Sequence, residues 1–388
     1  MSLKRTLSAS WFVLEFRIMK TRIYLVRHCE SEGNLCRRNH AQFDGIVTNK
    51  GLLQAQALCE RFKDEKIDGV YSSDAFRAVT TAVPVARSHN LEVQLRRLWR
   101  EYTIGIWEGT SIGWTAYNYP EQWKSWIREP WNHNIPGAEK FTSVAQRGME
   151  AIRQMVAEHP GGTMIAVSHV TTIISTLTAV LGRDITWYPN INGGENTAVT
   201  LIEISEDGSM NVPYISDISH LPPQLRRSDY TGRGIEGNFH YFDAVRTEPQ
   251  ILRRMVEGLA SREGIPADGI GQDLLKKQED LAIVPYLMDT PGGIVIGRVG
   301  DPRLPADHGL IEGFWIAPEI TVRAMAAQAF GEMLDRLRRR GMRWVVVKDS
   351  DEPNLKFCLD RLPFEDMSSP EGYRRLYVRV PGIEGPVY

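Results

Sequence analysis

Apolar residues along this chain gather into short runs that stop abruptly on charged or polar side chains. The run at 23–26 ends on Arg27 and His28, so it reads as a buried strand that presents both groups at its carboxyl end. Open α/β sheets build their sites at that end. MIAVSHV at 164–170 repeats the arrangement and delivers Ser168 and His169. VYSSDAFRAVTTA at 70–82 closes a strand and opens a helix carrying Arg77. Between these segments REYTIGIWEG at 100–109 sets Glu101 in a loop punctuated by glycine. Two histidines, two arginines and one carboxylate thus share comparable topological positions, as a single phosphate-handling site would require.

The pattern changes after about residue 222. PPQLRRSDYTGRGIEGN at 222–238 is rich in proline, glycine and charge and reads as a linker or long surface crossover. Beyond it a helical stretch at 248–262 leads to strands at 282–288 and 293–299, joined by an Asp-Thr-Pro-Gly-Gly turn. GLIEGFWIAPE at 309–319 then precedes a long amphipathic helix at about 322–340 and a strand at 342–349. A chain of 388 residues exceeds the usual size of one domain. The division expected is a first domain at 20–222, a linker at 223–240 and a second domain at 241–388.

Composition narrows the function classes. The formal net charge is −2 and no basic stripe is concentrated anywhere, so no nucleic-acid partner is expected. Cys29, Cys36, Cys59 and Cys358 lack the spacing of a disulfide framework or a zinc site, which suits a reducing, cytoplasmic setting. No run of about 18 apolar residues is present, so no membrane span is expected. SASWFVLEF near the start is short and carries an acid, a poor secretory signal. Residues 1–18, ahead of Met19, read as an extension or a cloning remnant.

Six segments, in order, resemble the histidine phosphatase superfamily with its phosphoglycerate-mutase-like fold. They are LVRHCESEGN with Asn34, VTNKGLLQAQAL with Thr48 and Gly51, the SSDAFRAVTTA helix start, the Glu101 loop with its WEG, Ser168-His169, and NTAVTLIEI followed by SDISHL. The resemblance covers roughly residues 20 to 222 and implies a three-layer α/β/α domain hydrolysing a small-molecule phosphomonoester. Residue chemistry agrees. Phosphomonoesters hydrolyse extremely slowly in water, so a site must stabilise spread-out negative charge and supply an aligned nucleophile. Arg27 and Arg77 can each present a bidentate fork to phosphoryl oxygens, with His169 and Asn34 completing the donor set. Neutral His28 would attack phosphorus, and Glu101 would protonate the leaving alcohol and later activate water. Guanidinium and imidazolium groups supply the positive charge, so no metal or other cofactor is required. Asn34, Thr48, Ser168 and Trp107 are expected on the substrate side.

Departures from the family pattern affect the pocket rather than the reacting groups. Cys29 and Val170 stand where glycine is usual. The Cys29 thiol is either partly ionised beside the cations or a small buried hydrophobe. The basic residues with which cofactor-dependent mutases follow the catalytic glutamate are not apparent in Tyr102, Thr103 and Ile104, which favours hydrolysis over transfer. The stretch 107–140 holds Trp107, Trp114, Trp123, Trp126 and Trp131, half of the ten tryptophans. Those rings form either a substrate lid suited to a planar or apolar leaving group or a packed insertion. Glu139 reads as a helix-start residue.

The order of elements after 248 resembles the GNAT acetyltransferase superfamily, giving a GNAT-like α+β domain. In that family a strand, a Pro-Glu turn and a helix start bind the pyrophosphate of acetyl-CoA through backbone amides. At that loop this chain has Arg323, Ala324 and Ala326, with alanine where close backbone approach favours glycine. Pro363 and Leu359 likewise replace the glycine and the frequently catalytic tyrosine of the closing segment. The second domain is therefore either an acetyl-CoA site or a degenerate module for ligand sensing or for assembling a homodimer. For the whole chain three functions compete: a metal-independent phosphomonoesterase, a phosphoglycerate mutase-type phosphotransferase, and a non-catalytic sensor of phosphometabolites or CoA.

Overall fold

The structure is a computed structural model that describes residues 20–226, 235–264, 266–267 and 281–379. The N-terminal extension and residues 227–234 of the central linker lie outside the described residues.

The first sheet has six strands: β1 (Thr21–Arg27), β2 (Gly69–Ser72), β3 (Val93–Leu95), β4 (Thr163–Ser168), β5 (Val199–Ile204) and β6 (Met210–Asp217). Their order is β3-β2-β4-β1-β5-β6. β1, β2, β3 and β4 run parallel, while β5 is antiparallel to β1 and β6. The sheet is covered on both faces, which explains its near-continuous apolar strands. In β1 the period-2 alternation sends Ile23 and Leu25 to one core with Ile152 and Ile173, and Tyr24 and Val26 to the other with Leu58 and Val85. The covering helices are α2 (Asn49–Phe62) and α3 (Phe76–Ser88) on the second face, and α6 (Phe141–Glu158) and α7 (Val170–Val180) on the first. Short helices α1 (Glu32–Leu35), α4 (Ile112–Asn118) and α5 (Pro120–Arg128) stand above the carboxyl edge of the parallel strands.

A separate sheet occupies the C-terminal half: β7 (His240–Asp243), β8 (Ala282–Leu287), β9 (Thr290–Pro291), β10 (Gly293–Val299), β11 (His308–Ile316), β12 (Trp344–Lys348), β13 (Glu365–Asp366) and β14 (Tyr373–Tyr377). Its order is β13-β14-β12-β11-β10-β8-β7, with β9 on β8. β11 and β12 are parallel and the other neighbours antiparallel. α8 (Pro249–Glu263) packs on one face against Ala282, Val284, Ile294 and Ile296. α9 (Arg323–Arg339) and α10 (Pro353–Arg361) cover the other face against Ile283, Val295, Val345 and Val347.

The expected linker is not wholly a surface crossover. Asn238 and Phe239 are fully buried, and His240 already belongs to β7. The cause is α9, whose Gln328 accepts from the Phe239 amide at 2.9 Å and donates to the Gly237 carbonyl at 3.2 Å. α9 is buried almost all round, because one side packs on its own sheet and the other meets the loop after β1. Leu35, Cys36 and Ile46 of the N-terminal half join the C-terminal core there.

Candidate active site

β1 and β4 end side by side, and their register pairs Arg27 with Ser168. Each chain then leaves the sheet, so His28 and His169 stand together with ring centroids 5.1 Å apart. The His28 amide donates to the Ser168 carbonyl at 2.9 Å, which locks the two strand ends. His28 Nδ1 lies 2.7 Å from the Cys29 carbonyl, so Nδ1 carries the proton and donates, leaving Nε2 as the free lone pair. Burial, then the charges of Arg77 and Arg27, hold this imidazole well below its ordinary pKa. A neutral ring is the form able to attack phosphorus.

Arg77 enters from the first turn of α3 and is fully buried. Its guanidinium donates to the carbonyls of His40, Ala41 and Phe43, pairs with Asp44 at 3.0 Å and reaches His169 Nδ1 at 3.1 Å. His169 Nε2 lies 2.9 Å from Ser73 Oγ. Burial and Arg77 keep His169 neutral too, so the expectation of an imidazolium is corrected: the positive charge is guanidinium charge, because a second cation beside Arg77 would be repelled. Arg27 donates to the Gly194 carbonyl at 2.8 Å.

Glu101 sits at the start of α7. Its carboxylate accepts from the amides of Thr171 and Thr172, both at 3.1 Å, from the Tyr102 amide at 3.0 Å and from the Thr172 hydroxyl at 3.2 Å. A helix N-terminus that holds a carboxylate fixes its position through unsatisfied N–H groups and the helix dipole. Arg27, His28, Asn34, Arg77, Glu101 and His169 all line one cavity of about 580 Å³.

The histidine phosphatase superfamily (branch 1) profile matches residues 23–214. Phosphoserine phosphatase 1 of Hydrogenobacter thermophilus is 30% identical over 185 residues, 48% of this chain and 87% of the relative. The chain belongs to the histidine phosphatase superfamily. The metal-independent phosphoserine phosphatase of Arabidopsis thaliana is 31% identical, with 52% of this chain and 83% of that protein covered. The probable phosphoglycerate mutase GpmB of Proteus mirabilis is 34% identical, with 41% and 74% covered. The solved structure of Bacillus stearothermophilus YhfR, 28% identical, superposes with a TM-score of 0.50 over 52% of this chain and 98% of that one.

Within this histidine phosphatase fold, three residues expected at the substrate stand behind the site instead. Thr48 caps α2, accepting from the Gly51 amide at 3.0 Å, and donates to Glu30 at 2.9 Å. Ser168 is fully buried and donates to the Trp99 carbonyl at 2.7 Å. Trp107 is fully buried in a cluster with Tyr102, Trp123 and Phe141, because the aromatic insertion needs a core of its own. The lid and packing alternatives divide within that insertion, since Trp123 and Trp126 stack at 5.1 Å and both line the cavity. Cys29 is the small buried hydrophobe of the two readings: burial pushes its thiol up to about 12, far from ionisation at neutral pH. Glu139 forks Arg147 at 3.0 and 3.1 Å, and Arg147 donates to the Arg100 carbonyl beside Glu101 at 2.6 Å.

Four residues were not singled out from the sequence. His40 lines the cavity with its ring 5.9 Å from that of His28, and burial with Arg77 lowers its pKa to about 3. Asn196 donates to the His28 carbonyl at 2.8 Å. Asp44 pairs with Arg77, and Glu108 accepts from the amides of Ala41, Gln42 and Phe43. The polar run RNHAQFD at 38–44, so close after the Arg-His pair, was the available signal.

In the C-terminal half, Ala324 and Ala326 are buried within α9, Ala326 among the core side chains facing the sheet. Neither they nor Arg323 line the catalytic cavity or a second cavity between α4, β7 and α9.

Proposed function

We propose that this chain is a metal-independent phosphomonoesterase that works through a phosphohistidine on His28. The observation that carries the reading is the neutral His28 imidazole, tethered at Nδ1, in one cavity with Arg27 and Arg77. Nε2 attacks phosphorus as the bond to the ester oxygen breaks, and the Glu101 carboxyl group is the donor that delivers a proton to the departing alkoxide. The Glu101 carboxylate then takes a proton from water as that oxygen attacks phosphorus, the N–P bond breaks and inorganic phosphate leaves. Arg27 and Arg77 set two guanidinium charges beside the cavity that stabilise the negative charge of the phosphoryl group in both steps; the terminal N–H groups of Arg77 are held by the protein, so its part is charge rather than the bidentate fork expected.

The likeness to phosphoserine phosphatases makes phosphoserine the first substrate to test. The cavity supports an amphipathic leaving group. Trp123, Trp126, Ile174 and Ile191 form an apolar wall, and Arg37, Lys50 and Arg128 supply cations for a carboxylate. Tyr102 and Ile104 occupy positions that mutases fill with charge, and both are buried, which supports water over a sugar acid as acceptor.

For the C-terminal half the reading is a GNAT-like fold. Support for the fold comes from β11, a Pro318-Glu319 turn, α9 and β12 following in that order.

The test is phosphate release from a panel of phosphomonoesters that includes phosphoserine, in EDTA, with wild type and His28→Ala side by side. Turnover that persists in EDTA and vanishes in the folded variant is expected. Product formed on an added alcohol without phosphate release would replace hydrolysis with transfer, and binding without turnover would make the chain a sensor.

A further inference from the structure

The phosphate site is built partly on the C-terminal half. Arg77 owes its aim to the segment 40–44, which supplies three backbone carbonyls and the Asp44 carboxylate. Asp44 also accepts from the Phe76 amide at the start of α3. The segment is irregular, and what holds it lies on either side. Glu108 gathers three of its amides on one side, and α9 stands on the other.

Arg338, on the last turn of α9, makes the central contact. One guanidinium nitrogen donates to both oxygens of Glu32, at 3.0 and 2.8 Å, and Nε donates to the Val378 carbonyl at 2.8 Å. The same guanidinium lies over the Phe43 ring, 5.2 Å from its centroid. Glu32 is fully buried, four residues after His28, and Gly45 packs directly against its carboxylate. The Phe43 carbonyl accepts from Arg77 at 3.1 Å. Three flanking ion pairs repeat the bridge. Arg38 reaches Glu332 at 3.0 Å and Asp335 at 2.7 Å on α9, and Arg361 of α10 reaches Glu30 at 2.6 Å.

We infer that Arg338 is a positioning residue for phosphoryl transfer: through Glu32 and the ring of Phe43 it fixes the segment that aims Arg77, an inference that rests on the phosphatase reading above. Arg338 touches neither substrate nor reacting atoms. Its effect is geometric, since the segment fixes where the Arg77 charge stands against the cavity, and misplacement of about 1 Å costs up to about a hundredfold in rate. The two halves share a chain because one completes the other's phosphate grip.

Removing Arg338 alone would strand a buried carboxylate and could unfold the chain. The test therefore uses the full chain with Glu32→Gln and Arg338→Met together, which removes both charges, and Phe43→Leu, which keeps the ion pair and removes the ring. Thermal midpoint, kcat and KM on phosphoserine, and orthovanadate affinity by calorimetry are compared with wild type. The inference expects a folded double variant with kcat lowered about tenfold or more, orthovanadate bound more weakly by a similar factor, and Phe43→Leu moving both in the same direction. A folded double variant within twofold of wild type in both quantities overturns it. Should the double variant not fold, Phe43→Leu decides by the same criterion. Orthovanadate binding reads the Arg77 geometry without turnover, so a wild type lacking His28-dependent hydrolysis breaks the phosphatase reading alone.

Discussion

His28, His40 and His169 crowd around Arg77, and each ring stays neutral because burial first, and then the fixed guanidinium, oppose a second charge. A neutral His28 leaves leaving-group protonation to another residue, and among the cavity's carboxyl groups, Glu30, Glu101 and Glu195, Glu101 is the one assigned that role. Glu101→Gln keeps the shape and one of the two accepting oxygens but loses the transferable proton. For an alkyl phosphate such as phosphoserine, kcat/KM is expected to fall about 10²- to 10⁴-fold. For 2,4-dinitrophenyl phosphate, whose leaving group departs without a proton, the first step should be nearly unaffected and phosphoenzyme should accumulate. Equal losses on both esters would remove Glu101 from the acid role and leave it as a structural cap of α7.

At the scale of elements, α2 crosses so close behind the loop after His28 that only glycine fits at the crossing. A Cβ on Gly51 would lie 2.1 Å from the Glu30 carbonyl oxygen, and that oxygen also accepts from the Thr48 amide. Gly51→Ala must push backbone against backbone, so a loss of about 1–3 kcal/mol in denaturant-derived stability is expected, with a fall in kcat because Glu30 follows His28 by two residues. An unchanged midpoint would mean the crossing yields freely. This contact shows why some of the architecture was legible in sequence. Strands β1 and β4 and the residues at their ends follow from apolar runs that stop on charge, and α9 follows from its amphipathic period. The segment 36–46 showed in sequence only as a polar run, and its hold on Arg77 did not, because three of the acceptors are backbone carbonyls, which any residue type supplies. Thr48 and Ser168 carry polar side chains in family motifs, yet their partners are backbone and Glu30, and only tertiary packing reveals that. β7 escaped for a related reason, since four residues at a sheet edge carry too little pattern to stand apart from a linker.

Over the whole molecule, the neutral histidines that serve the site make the fold sensitive to acid. His28 and His169 are held well below their ordinary pKa, His40 is lowered to about 3, and His220, buried beside Arg61, is lowered to about 4. In the unfolded chain each would titrate near its unperturbed value of about 6.5. Below that pH the unfolded state binds protons that the folded state refuses, so stability falls as pH falls. The loss begins near pH 6.5 and continues down toward the folded values of about 4 and about 3. A histidine that takes up a proton only on unfolding adds up to about 1.4 kcal/mol per pH unit across this window. Above pH 6.5 they add no slope. Thermal midpoints measured from pH 7.5 to 5.0 should therefore hold steady and then drop, while the activity of molecules still folded persists because His28 remains the neutral nucleophile. His220→Asn, which lies outside the reacting groups, should flatten the drop by removing one proton-refusing site. A midpoint independent of pH between 7 and 5 would mean that the folded protein takes up these protons, and the case for a neutral His28 held by Arg77 would fall with it.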